Sequence, residues 1–170
     1  GICKNALQEM VSCYCETTSL SSAWGRIFFP YGAGEYPNRL VSSVILSLLK
    51  GEPARCSHGN QIRDFLYVQD VADAFVALLE SEVTGAVNIG SGRAIAIKDV
   101  VYKIADMIGR SDLIQLGAIP SAAKESSLLV ADVTRLSNEV GWQPKLNLEM
   151  GLRQAIIWWE NSNFTGLKIE

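Results

Sequence analysis

The sequence holds one histidine, His58, and four cysteines, Cys3, Cys13, Cys15 and Cys56, none of them in C-x-x-C spacing. A zinc site draws on clustered Cys and His ligands, and a Ser-His-Asp triad needs a histidine set between its partners, so neither has material here and no metal site is expected. Cys13 and Cys15 stand two apart on a predicted helix and face different sides; all four thiols read as free, buried side chains. No run approaches the roughly 18 apolar residues of a membrane span. The opening Gly1-Ile2-Cys3-Lys4 lacks the charged start, apolar middle and small-residue cleavage site of a secretion signal, so the expected location is cytoplasmic, without a membrane partner. Basic clusters of more than two Lys or Arg are also missing, and the net charge is -3. That balance excludes a nucleic-acid partner, while isolated arginines can still meet a small anionic ligand.

What is present is an apolar content of 48% over 170 residues, enough for one ordinary domain with a true core. Strand-like runs alternate with amphipathic helical stretches, which predicts an α/β architecture. Residues 4–18 read as a helix and residues 23–29 as a buried strand that stops at Pro30, before the loop Tyr31-Gly32-Ala33-Gly34. Val41, Val44, Ile45 and Leu48 share one helical face that Gly51 and Pro53 close. Short strands are predicted at 54–57 and 65–68 around Gly59-Asn60, then a helix capped by Asp70 and carrying Val71, Phe75, Leu78 and Leu79. Val87-Asn88-Ile89 reads as a strand ended by Gly90-Ser91-Gly92. The stripe Ile97, Val100, Val101, Ile104, Ile108 predicts a helix ending at Gly109, and two more helices are expected over 132–140 and 149–160, after a loop near 120–127.

Three segments carry chemistry. They are Arg26-Ile27-Phe28-Phe29-Pro30-Tyr31-Gly32-Ala33-Gly34, the block Gly59-Asn60-Gln61-Ile62-Arg63-Asp64-Phe65-Leu66-Tyr67-Val68-Gln69-Asp70-Val71-Ala72, and Val87-Asn88-Ile89-Gly90-Ser91-Gly92. In this order, followed by Asp132-Val133-Thr134-Arg135-Leu136, Gly141-Trp142-Gln143-Pro144 and Glu149-Met150-Gly151-Leu152, they resemble the extended short-chain dehydrogenase/reductase family of NAD(P)-dependent nucleotide-sugar epimerases and dehydratases. The second block is the most specific. The resemblance implies the last strands and helices of a Rossmann-type domain, residues 1–50, followed by a smaller substrate-binding portion over residues 51–170.

It further implies that Gly1-Ile2-Cys3-Lys4 closes the family's Tyr-x-x-x-Lys motif, with the tyrosine just before Gly1. Lys4 is then the catalytic lysine, one helical turn from the phenol, lowering its pKa and binding the nicotinamide ribose. The family's glycine-rich cofactor loop has no counterpart, and Gly90-Ser91-Gly92 is not that loop, so NAD or NADP belongs to the complete enzyme and this stretch alone is expected to be inactive. The family's substrate contacts fall on Arg63 for the phosphates, by bidentate guanidinium pairing, on Asn88 through its amide, and on Arg39 at the edge of the nucleotide. The bland alternative for Arg63 is an ion pair with Asp64 or Asp70. Asp70 reads as a helix cap, and Trp142 with Pro144 as an anchor for the last helix.

Departures from the family pattern fall at Phe29, where many members place an asparagine near the nicotinamide end of the cofactor, at Ala33 in place of proline, and at Lys124, where relatives carry a nucleotide-binding arginine. Ala96 replaces a capping Ser or Thr. Two other readings stay open: a non-catalytic remnant or module that binds a nucleotide diphosphate or a partner subunit, and a relative acting on a non-nucleotide alcohol. Arg63 and Asn88 speak against the second, since an apolar substrate needs no phosphate grip. The helix of Lys4 and the strand after it are expected to expose apolar faces, and so to favour self-association or contact with a missing N-terminal half.

Overall fold

Alternating apolar patterns become short elements in the computed structural model, which describes residues 1–121 and 125–162. In chain order they are α1 (Ile2–Thr18), β1 (Ala23–Ile27), β2 (Phe29–Tyr31), α2 (Leu40–Leu49), β3 (Ala54–Arg55), β4 (Ile62–Arg63), β5 (Phe65–Tyr67) and α3 (Val68–Glu80). There follow β6 (Gly85–Ile89), β7 (Ile95–Ala96), α4 (Ile97–Ile108), a 3-10 turn at Ser111–Leu113, β8 (Ile114–Gln115), β9 (Leu128–Leu129), α5 (Thr134–Asn138) and α6 (Leu148–Asn161). The part of the predicted 120–127 loop that includes Lys124 lies outside the described residues.

Parallel pairing dominates. β1 runs beside β6 with Ala23 opposite Gly85, β2 beside β5 with Phe29 opposite Phe65, and β3 beside β8. Among the described residues only β4 and β7 pair antiparallel, with β9 on the other side of β4. Parallel neighbours need long crossovers, and the helices between them supply these, which is why the α/β alternation of the sequence holds. β6 joins β1, so residues on both sides of position 50 build that layer.

The predicted stop at Pro30 is corrected: the extended chain runs on through it as β2, with Pro30 in register with Leu66. At Phe28 the strand changes partner, its N–H reaching the Ile89 carbonyl, and that of Phe29 the Asp64 carbonyl. Successive backbone groups of a strand point to opposite sides, so the missing N–H at Pro30 costs no bond to β5.

Two cores form. The first joins Val41, Val44, Ile45 and Leu48 of α2 to Val100, Val101 and Ile104 of α4 and to Leu152 and Ile156 of α6. α2 and α4 present the faces that their periodicity predicts. The second packs Leu66, Val71, Ala74, Leu78, Val87, Ile89 and Leu136 around Trp142. Trp142 therefore anchors α3 and α5 rather than the last helix. On α3 the inward stripe is Val71, Ala74 and Leu78, while Leu79 is 85% exposed and Phe75 lies at the margin with its ring over Gly25 of β1, where a Cβ would collide with it.

α1 has no buried residue, and Ile2, Met10 and Tyr14 are exposed. This corrects the expectation of buried thiols. Cys3 and Cys13 are exposed with the helix that carries them, Cys15 is half-buried with its Sγ against Ser22 Oγ, and Cys56 alone is buried. No described helix is long and apolar enough to cross a membrane.

The predicted weak start of α4 is corrected: Ala96 occupies the N-cap position in an extended conformation with no side-chain cap, but the N–H groups of Ile97 and Lys98 donate to the Gln61 and Gly59 carbonyls, each at 2.9 Å. Asn147 at the start of α6, by contrast, accepts a hydrogen bond from the Met150 N–H. With these two donors already bonded, Ala96→Ser is expected to raise stability by no more than about 0.5 kcal/mol, visible as a small rise of the melting temperature in thermal denaturation. A gain of about 1 kcal/mol or more would show that these carbonyl bonds leave the helix start open.

Candidate functional site

The loop after β2 and the start of α2 face β3, β4 and β5 across a cavity of about 680 Å³, within the range of small-molecule sites. Its walls mix aromatic rings with three arginines, Arg39, Arg55 and Arg63. Arg63 comes from β4, between β7 and β9, and its side chain is only 4% exposed. Its Nη1 donates to the Ile62 carbonyl at 2.8 Å, its Nη2 to Glu125 Oε1 at 2.6 Å, and the guanidinium lies 5.4 Å from the centre of the Phe29 ring. The aromatic face attracts the cation.

The ion-pair partner of Arg63 is thus Glu125, which corrects both carboxylates offered from the sequence. Asp64 follows Arg63 in an extended chain, so its side chain points to the opposite face. There it accepts from the N–H and Oγ of Ser91 and from the N–H groups of Gly92 and Ala131, fully buried. Asp70 is corrected as well: α3 begins at Val68 with Tyr67 at the cap position, and Asp70 instead accepts from the backbone N–H groups of Lys145 and Leu146. Both aspartates tie distant loops to the β5 and α3 region.

Arg39 stands at the N-cap position of α2, exposed at the mouth of the cavity. Nearby Glu35 accepts from Ser42 Oγ at 2.6 Å and from the Ser42 N–H. Burial pushes the Glu35 carboxyl above its ordinary pKa, opposed by these hydrogen bonds and by the Arg39 charge. Arg55, not singled out from the sequence, lines the same cavity and makes one long bond, 3.5 Å, to the Ala118 carbonyl. Its signal was the alternation of β3, which buries Ala54 and Cys56 and turns Arg55 the other way.

Of the residues named from the sequence, Arg63, Arg39 and Phe29 meet in this cavity. Asn88 does not. It sits on β6 opposite Arg26, and its amide donates to the Asp132 carbonyl at 3.0 Å, holding the segment before α5. Lys4 also lies apart, exposed on α1 in an open recess with Trp24 and Arg26, where Arg26 is engaged by Gln8.

A dinucleotide needs free backbone amides to cradle its pyrophosphate. In the turn Gly90-Ser91-Gly92 the amides of Ser91 and Gly92 are committed to Asp64, and Lys4 offers a single ammonium. That turn therefore offers no free pyrophosphate cradle.

The model of a family described as the NAD dependent epimerase/dehydratase family matches residues 1–90. The chain is 28% identical to CDP-abequose synthase of Salmonella typhimurium over 91% of its own length and 54% of that protein. It is 28% identical to a dTDP-glucose 4,6-dehydratase of Escherichia coli over 95% of its length and 47% of that protein. The chain thus spans about half the length of these curated relatives. Among solved structures, it superposes on the UDP-glucose 4-epimerase of Thermotoga maritima bound to UDP-glucose with a TM-score of 0.88, at 23% identity, over 94% of this chain and 52% of that one.

Proposed function

We propose, because this chain belongs to the NAD dependent epimerase/dehydratase family, that its large cavity receives the diphosphate of a nucleotide sugar and that the chain serves as the substrate-gripping part of such an enzyme. The observation that carries this reading is the convergence of Arg39, Arg55 and Arg63 on one aromatic-walled cavity, with Arg63 almost wholly withdrawn from water. A guanidinium in that setting forms stronger, more directional bonds to phosphate oxygens than one in bulk solvent. Phe29 and Phe65, with ring centres 6.0 Å apart, add flat apolar surface on the same wall.

Lys4 serves in this reading as the cation that steadies a proton-transferring phenol, at a place remote from the diphosphate grip. In the complete enzyme NAD or NADP supplies hydride transfer; this chain alone does not hold it, and its own residues contribute binding and orientation. The uncovered apolar side chains of α1 and α3 are consistent with a further layer of protein over them, a second copy or another part of a longer protein.

Titration of the chain with UDP, CDP and dTDP by isothermal calorimetry tests the reading. Binding of at least one of them in the micromolar range is expected. If none binds at millimolar concentration, even when Glu125, the ion-pair partner of Arg63, is replaced by Gln, the cavity is not a nucleotide-diphosphate site.

A further inference from the structure

The cavity wall already contains an anion of its own. Glu125 sets Oε1 against Arg63 Nη2 at 2.6 Å and Oε2 against Gln61 Nε2 at 2.9 Å, so its carboxylate lies across two donors that a ligand oxygen would use. The members of this pair are held very differently. Arg63 is clamped by the Ile62 carbonyl and the Phe29 ring with its side chain 4% exposed, whereas the Glu125 side chain is 33% exposed and, among the described residues, has no other donor. Returning a part-solvated carboxylate to water costs little, while withdrawing a buried guanidinium from its setting costs far more. Gln61, 5% exposed, keeps its Oε1 buried without a hydrogen-bond partner, an acceptor left over on the same wall.

From this geometry we propose that Glu125 is an intramolecular stand-in for a ligand phosphate and sets a charge threshold for filling the cavity. The inference rests on the diphosphate reading above. A tethered carboxylate acts at a high effective concentration, so an incoming anion competes with a partner that never diffuses away. A ligand with one phosphate exchanges one pairing for another and gains little. A diphosphate brings two adjacent anionic groups, one to replace Glu125 on Arg63 and a second for Arg39 or Arg55, which line the same cavity. On binding, the Glu125 carboxylate moves out to water and its bond to Gln61 Nε2 is released, with no covalent change.

The test is calorimetric titration of the full chain and its variants with UDP, CDP and dTDP and with the matching monophosphates. Glu125→Gln is expected to bind the diphosphates roughly tenfold tighter, and to gain more on the monophosphates, so that the preference for two phosphates narrows. Glu125→Asp keeps the charge but is one methylene too short to span both donors, and gains affinity in the same direction. It decides the matter if Glu125→Gln does not fold. Diphosphate binding that is unchanged or weaker in these variants, yet still lost in Arg63→Ala, overturns the stand-in and leaves the diphosphate site intact. Absence of binding by the parent chain and by every variant sinks the site and this inference together, whereas binding by the Glu125 variants alone supports both.

Discussion

Replacing Asp64 with alanine is expected to destabilise the chain by about 3–5 kcal/mol, the largest effect of any single polar substitution among the described residues. The carboxylate is fully buried and accepts four hydrogen bonds: Oδ1 from the Ser91 N–H at 2.7 Å and from Ser91 Oγ at 2.5 Å, Oδ2 from the N–H groups of Gly92 at 2.9 Å and Ala131 at 3.1 Å. Truncation leaves three backbone donors and a hydroxyl facing an apolar void, each with a desolvation cost of about 1–3 kcal/mol when unpaired. Gly90 belongs to the same arrangement, since a Cβ there would come 2.8 Å from Asp64 Oδ2 and 2.6 Å from the Ala131 methyl. Asp64→Asn is expected to be intermediate, because its NH2 replaces one acceptor oxygen among three N–H groups, with Ser91 Oγ alone able to accept from it. Ser91→Ala removes the hydroxyl alone and should cost about 1 kcal/mol. Urea denaturation followed by circular dichroism measures all three. A loss below about 1 kcal/mol for Asp64→Ala would mean that water replaces the carboxylate and that the turn is not organised by it.

Arg63→Ala is expected to weaken nucleotide-diphosphate binding about 100-fold, the worth of a charge-assisted bidentate contact in a site of low exposure. Arg63→Lys should recover only part of the loss, because an ammonium keeps the charge but does not fork onto two oxygens. Both effects are read from the calorimetric titrations. Folding should suffer less than binding, by about 1 kcal/mol, since the abandoned partner, Glu125, is one-third exposed and rehydrates. Undiminished binding by Arg63→Ala would transfer the phosphate contact to Arg39 and Arg55. A large fall in both stability and affinity would instead make Arg63 a structural residue whose loss collapses the cavity.

Legibility in the sequence followed the range of each interaction. The core faces of α2 and α4 could be read because a helix buries residues at a fixed local spacing, and Gly109 marked the end of α4 with its positive φ. The outward turn of Leu79 could not be read, because an apolar residue beside the stripe is covered only if another layer arrives. The same reason explains the exposed Cys3 and Cys13. Pro30 signalled a strand end locally, yet the choice of which neighbour β2 pairs with made its missing N–H harmless.

By itself, then, the sequence determined the α/β alternation, the inward faces of α2 and α4 and the ordered motifs that point to this family, all of which depend on near neighbours or on residue order. Tertiary structure alone decided that Arg63 meets Glu125, 62 residues away, that Asp64 reaches Ala131, 67 residues away, and that Asn88 serves the Asp132 segment instead of the cavity. Parallel pairing is the physical reason. Each parallel strand returns through a helix before it finds its partner, so residues distant in the chain share one wall, and no local periodicity records which of them will meet.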